Sequence, residues 1–190
     1  QSNPDIQGVT LSEPVNAAAL GKTEGVSWPG KEGKFSVWLL HADYDFARTF
    51  RIDMQDGRFY SEEYSSDATN AFVINEAAAN EMGLESPVGT PLTVWERQGS
   101  IIGVTENFHF TSLHNTVEPL IFRIPDPDEA PMFYRQLSVR FRPNSLQTSL
   151  AFIRETWDSF FPTKPVDYQF VDDQLNASYT AELRMSKLFR

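Results

Sequence analysis

Cysteine is missing altogether from the 190 residues. That removes disulfides, thiolate metal sites and a cysteine nucleophile from consideration. Long apolar runs are missing too: no stretch approaches the roughly 20 residues that span a bilayer as a helix. The opening Gln1-Ser-Asn-Pro-Asp5 has neither the basic start nor the apolar centre of a signal peptide. Positive charge is scarce. Sixteen Lys and Arg stand against 26 Asp and Glu, a formal net charge of −10. The clustered cations that grip phosphates or an anionic membrane surface are therefore not available, and no nucleic-acid partner is expected. No Gly-rich phosphate loop and no Gly-x-Ser-x-Gly elbow occurs either.

What is present is the material of a folded core. Fifteen Phe and four Trp supply apolar area that offsets chain entropy. The length suits one substantial domain or two small lobes. The chain also starts and stops abruptly. Its last ten residues are helix-forming and end without a cap or a glycine, as expected of a piece of a longer protein.

Periodicity sets out the elements. Gly8-Val-Thr-Leu11 reads as a short strand, and Phe35, Val37 and Leu39 mark another, buried on both faces. Asp43 is placed to cap a short helix carrying Phe46, Ala47 and Phe50. A turn is expected at Asp56-Gly57 and a polar surface loop over 61–70. Phe72-Val-Ile74 is a strand. Asn75 caps the helix that follows, and Gly83 with Leu84 and Pro87 ends it. Leu92 and Val94, a turn over 96–99, and Ile101-Ile-Gly-Val104 make a hairpin. Leu120-Ile-Phe-Arg-Ile124 is a further strand, and Pro125, Pro127 and Pro131 mark a loop. After Leu137, Val139 and Phe141, Asn144 with Gln147 suggests a capping box. The helix it opens carries a stripe of Leu146, Leu150, Ile153, Trp157 and Phe160 that should be core. Val166, Tyr168 and Phe170 complete a predicted β-α-β unit over 137–171.

Each chemically suggestive group has a plainer use. His109 and His114 lie near Glu106 and Glu118, but three or four ligands must converge for a metal, and the spacing fits no standard motif. His41 ends an apolar strand without an obvious partner. Asp43, Asp45, Asp53 and Asp56 lack the ligand alternation of a calcium loop, and capping and turn roles account for Asp43 and Asp56. Asp172 and Asp173 suit the start of a last helix over 174–190. Asn176-Ala-Ser178 is a short sequon of the kind that arises by chance. Trp28, Trp38, Trp95, Phe108 and Phe110 could line an apolar groove, but core packing is the commoner use of such residues. No residue is assigned a catalytic, cofactor-binding or metal-binding role, and no cofactor or enzymatic activity is expected.

Several blocks, in order, carry a resemblance. Residues 45–59 end in Gly57-Arg-Phe59. Phe72-Val-Ile-Asn-Glu-Ala-Ala77 is followed by Gly83-Leu84 and Pro87-Val-Gly89. Ile101-Ile-Gly-Val-Thr-Glu-Asn-Phe-His-Phe110 comes next, then Tyr168-Gln-Phe-Val-Asp-Asp173 and Tyr179-Thr-Ala-Glu-Leu-Arg184. Together they resemble the extracytoplasmic domain of MacB/FtsX-like ABC transporter permeases. The resemblance implies an α+β domain inserted between the first two membrane helices of a permease. It implies a porter-like lobe from 1–45 and 133–190, with a helix leading to the membrane, and a smaller lobe from 46–132. It places the domain on the periplasmic side of the inner membrane. The implied partners are an ABC ATPase, a second permease copy or paralogue, and a substrate or periplasmic partner of unknown identity. The implied role is to couple cytoplasmic ATP hydrolysis to movement outside the membrane. The competing readings are a stand-alone periplasmic binding or scaffold protein and a hydrolase using Asp or His.

Overall fold

The computed structural model describes residues 3–15, 20–31, 33–110 and 116–171. Along the chain lie β1 (Ile6–Ser12), β2 (Gly21–Thr23), β3 (Val26–Ser27), β4 (Val37–His41), α1 (Phe46–Phe50), β5 (Met54–Gly57), α2 (Asp67–Asn70), β6 (Ala71–Asn75), α3 (Glu76–Glu81), β7 (Pro91–Val94), β8 (Arg97–Thr105), β9 (Leu120–Arg123), α4 (Ala130–Phe133), β10 (Gln136–Phe141) and α5 (Leu146–Phe160). The class is α+β, as expected. The chain divides into a larger unit, residues 8–111 and 116–140, and a smaller one, residues 1–7, 112–115 and 141–190.

The larger unit is built on a mixed sheet in the order β2-β4-β9-β6-β8-β7-β3, with β5 also against β8. Strand β6 lies between β8, to which it is parallel, and β9, to which it is antiparallel. All five of its residues are buried. The alternation of a strand sends Phe72 and Ile74 to an apolar cluster with Ala78 and Ala79 of α3. Ala71 and Val73 go to another cluster with Phe46 of α1. A sheet covered on both faces explains why β6 is apolar up to Asn75 and β9 apolar up to Arg123. The two ends of the path, β2 and β3, are separated in sequence only by Glu24 and Gly25, so the sheet curls until its edges approach. Trp95, in the β7–β8 turn, fastens them: its N–H donates to Gly25 O at 2.7 Å and its Nε1 to Thr23 Oγ1 at 2.9 Å.

Asn75 does what its position predicts, and more. Its Oδ1 accepts from Ala78 N at 2.9 Å and caps α3. The helix ends with Gly83 at φ 69°. Gly83 N donates to Asn80 O and Leu84 N to Ala79 O, the paired bonds of a Schellman turn. Gly57 (φ 65°) is demanded by space as well as conformation, since a Cβ there would lie 2.3 Å from Ile102 O.

Several expectations give way. The compact units part at 7/8 and 140/141, and the lobes implied by the resemblance, 1–45 with 133–190 and 46–132, stay a proposal. Strands β2, β3 and β4 are sewn into the central sheet by pairing with β7 and β9, while β1 pairs with β10 in a separate two-stranded sheet. The polar segment 61–70 ends in α2, whose Asp67 is buried against Arg58 (Nη2 to Oδ1, 2.8 Å). The β7–β8 turn is Trp95-Glu96, with Arg97, Gln98 and Gly99 already in the ladder. Pro131 lies inside α4 rather than in a loop.

The smaller unit departs furthest. Position 145, not 144, is the N-cap of α5. Asn144 adopts φ 67°, and Ser145 Oγ donates to Arg142 O instead of capping, so no capping box forms. Phe160, the last member of the expected core stripe, is 75% exposed, and Leu146 is exposed too. No strand forms over 161–170, so the predicted β-α-β unit is absent among the described residues. The segment after α5 is held to the helix by side-chain contacts instead. Trp157 Nε1 donates to Lys164 O at 2.6 Å, and Arg154 Nη2 donates to Tyr168 Oη at 3.2 Å.

Two outcomes check this packing by denaturant unfolding. Phe122→Ala, at a fully buried position, is expected to cost about 3–5 kcal/mol. Trp157→Ala, at a half-buried position, should cost clearly less; equal losses would restore the core reading of α5. Asn75→Ala should cost roughly 2–4 kcal/mol, because a helix cap and buried backbone partners are lost together.

Candidate functional site

The parallel pairing of β4 with β9 sets His41 beside Arg123 at their carboxyl ends. Both are buried, which charged or titratable groups accept only when paired. The pairing comes from three separate segments. From the N-terminal side, Glu13 Oε2 accepts from His41 N and meets His41 Nδ1, each at 2.9 Å. Glu13 N in turn donates to His41 O at 2.9 Å. From the segment after β9, Asp126 and Glu129 accept from Arg123 Nη2 at 3.2 and 3.0 Å. From the β7–β8 hairpin, Arg97 Nη2 donates to Asp126 and Nη1 to Ala68 O and Ile124 O. Burial and the neighbouring Arg123 push the Arg97 guanidinium below its ordinary value, against the pull of Asp126 and Glu129.

Aromatic groups close the cluster. The His41 ring stacks on Phe133 with centroids 3.7 Å apart and 20° between planes. His41 is 2% exposed, and its Nε2 has no hydrogen-bond partner. Burial, then the charges of Asp43 and Tyr44, push the Tyr134 phenol above its ordinary value. Asp43 does not cap α1 as predicted. The N-cap position is Asp45, which makes no side-chain cap bond. Asp43 instead faces β1, accepting from Leu11 N at 2.7 Å and from Thr10 Oγ1. Opposite charges from separate segments thus hold one another. The His41 nitrogen that reaches a carboxylate is already engaged, and the ring face lies under Phe133. The arrangement fastens segments together.

At the other end of β4, Glu118 accepts from Lys22 Nζ and, at 2.7 Å, from Trp38 Nε1. Burial pushes its carboxyl up, but the hydrogen bonds from Lys22 and Trp38 and the Lys22 charge outweigh that and hold it below the ordinary range. Glu118 is thereby committed away from His109 and Glu106, which are exposed. His114, Asp172, Asp173 and Asn176 lie outside the described residues. The acidic group is not assembled: Asp43 serves β1, Asp45 pairs with Arg48, Asp56 accepts from Gly57 N, and Asp53 is exposed. Among the described residues no three His, Asp or Glu converge as metal ligands. The aromatic set is split between the two faces of the sheet, Trp28 against Phe35 on one and Trp38, Phe108 and Phe110 on the other. Trp95 sits at the hairpin turn. A shallow cleft of about 610 Å³ beside α3 and β5 is lined by residues that include Asn80, Leu84 and Glu85.

Glu13, Arg97, Asp126, Glu129 and Phe133 carried no signal of their own in the sequence. Arg123 inside the apolar run 120–124 was the one available hint, since a cation in a doubly covered strand needs anions from elsewhere.

The family described as the MacB-like periplasmic core domain matches residues 2–160. No protein of curated function matches the sequence. Among solved structures, the extracellular domain of YknZ, a noncanonic ABC-type transporter from Gram-positive bacteria, superposes with TM-score 0.59 at 14% identity, covering 85% of this chain and 80% of that one. The periplasmic region of MacB from Actinobacillus actinomycetemcomitans gives 0.62 at 14% identity, covering 86% and 72%. A domain of a Porphyromonas gingivalis protein assigned as a permease gives 0.58 at 16%, covering 92% and 85%. At these identities the likenesses establish a shared fold.

Glu118 yields a pH test. A carboxyl held low in the folded state contributes stability that is complete above its unfolded value, about 4.3. That contribution is lost as pH falls through the lower folded value. Denaturation midpoints followed from neutral into this acid range should fall less steeply in Glu118→Gln than in the wild type. Parallel curves would remove Glu118 from the acid transition.

Proposed function

Since the chain belongs to the family of MacB-like periplasmic core domains, we propose that it is the part of an ABC transporter permease that stands outside the inner membrane and carries ATP-driven movement to a substrate or partner there. The observation that supports this most is the family match over residues 2–160, together with a fold shared with extracytoplasmic domains of two ABC transporters. The physical character of the larger unit agrees with such a task. A sheet with apolar cover on both faces deforms little, because packed interiors have few alternative arrangements. The charged fasteners at the ends of β4 and β9 join segments far apart in sequence, so displacement of one is felt by the others. The ATP chemistry is assigned to the partner ATPase and the anchoring to membrane helices outside this chain. A second permease copy or paralogue completes the assembly in this reading.

These 190 residues hold no cysteine, so a single one introduced here reports the location once any cysteine elsewhere in the full-length protein is changed to serine. Ser65, exposed before α2, is replaced by cysteine in the full-length protein. Spheroplasts are then treated with a membrane-impermeant maleimide. Labelling without lysis is expected, in a protein that fractionates with the inner membrane. Labelling only after lysis would overturn the extracytoplasmic placement. Recovery in the soluble periplasmic fraction would favour the binding or scaffold alternative.

A further inference from the structure

We propose that residues 125–135, the connection between β9 and β10, form a releasable strap: its anions and one aromatic ring are docked on half-buried Arg97 and on buried Arg123 and His41, and it opens without unfolding the sheet. The strap has little to hold it by itself. Its helix α4 is a single turn of four residues with a proline in its first turn, and none of those four is buried. Met132 is 63% exposed. A turn this short is not stable alone, so tertiary anchors fix its place. Asp126 and Glu129 meet Arg97 and Arg123. Phe133 covers the His41 ring.

The backbone attachments are unequal. The bonds from Glu129, Ala130, Met132 and Tyr134 N–H groups end on carbonyls inside the strap. Of the described backbone bonds, the one that leaves the strap is Arg135 N to Ser12 O at 3.1 Å. The ladders of β9 run to β4 and β6 and do not involve the strap. Opening therefore breaks ion pairs, one ring stack and one inter-segment backbone bond, and spares the sheet. It also uncovers two guanidiniums and an imidazole on a chain of net charge −10. The strap is the direct covalent path from β9 into β10, so tension along that path acts on these anchors. Only this purpose rests on the permease reading; the opening itself is a property of the domain.

Hydrogen exchange of the 190-residue chain, read by mass spectrometry, tests it. Amides of 126–135 should exchange at least about tenfold faster than those of β4, β6 and β9, as a local opening does relative to global unfolding. Asp126→Asn with Glu129→Gln should speed the strap about tenfold more and leave β6 and β8 unchanged. Phe133→Leu, which keeps the charges and loses the stack, should act in the same direction. Asp126→Glu with Glu129→Asp should keep most of the protection. Strap and sheet exchanging together, equal acceleration of both, or failure of the double variant to fold would each overturn the strap. None of these outcomes bears on membrane location, which the Ser65→Cys labelling reports separately.

Discussion

The Asn75 carboxamide ties together three parts of the structure that would otherwise be independent. Its Oδ1 accepts from both Ala78 N and Leu120 N at 2.9 Å, and its Nδ2 donates to Glu118 O at 2.9 Å. The side chain is wholly buried, where unmet polar groups are costly. One residue therefore starts helix α3, ends strand β6 and sets the entry of β9. The register of β9 then places Arg123 beside His41, and the backbone at Glu118 places the carboxylate that meets Lys22 and Trp38. Both charged clusters follow from that alignment.

The apolar sheet and the charged clusters contribute different things. The sheet contributes area removed from water and tolerates exchange among apolar residues of similar volume. The charged groups contribute less net stability, since their desolvation offsets much of the attraction, but they discriminate sharply among arrangements. Arg123 inside β9 is tolerated only if Asp126 and Glu129 lie where they do. A domain proposed to move against a partner gains from this division: a body that keeps its shape, and fastenings that release at defined points.

Family membership narrows the role without locating an active residue. The shared fold with extracytoplasmic transporter domains is a statement about architecture, and folds host many functions. What is particular to this chain is where its charges are spent. His41, Glu118 and Asp43, each suggestive as chemistry, are engaged by Glu13, by Lys22 and Trp38, and by the backbone of β1. Their geometry favours holding over reacting.

Local signals were legible from residues alone. The strands at Phe72-Val-Ile74 and Leu120-Ile-Phe-Arg-Ile124, the Asn75 cap and the Gly83 turn follow from alternation, capping and left-handed backbone, which act within a few residues. The blocks around them carried the family resemblance. Pairing across the chain was not legible. Nothing near residue 40 reveals that β4 joins β9. Alternation at 166–170 promised a strand, but a strand needs a neighbour to bond with. Among the described residues no strand pairs with it, and its nearest ties are the side-chain bonds of Trp157 to Lys164 O and of Arg154 to Tyr168 Oη. The charged cluster of Glu13, His41, Arg97, Arg123, Asp126 and Glu129 was equally invisible. Its members are up to 116 positions apart in sequence, and only a common register at the ends of two parallel strands brings them within hydrogen-bonding distance.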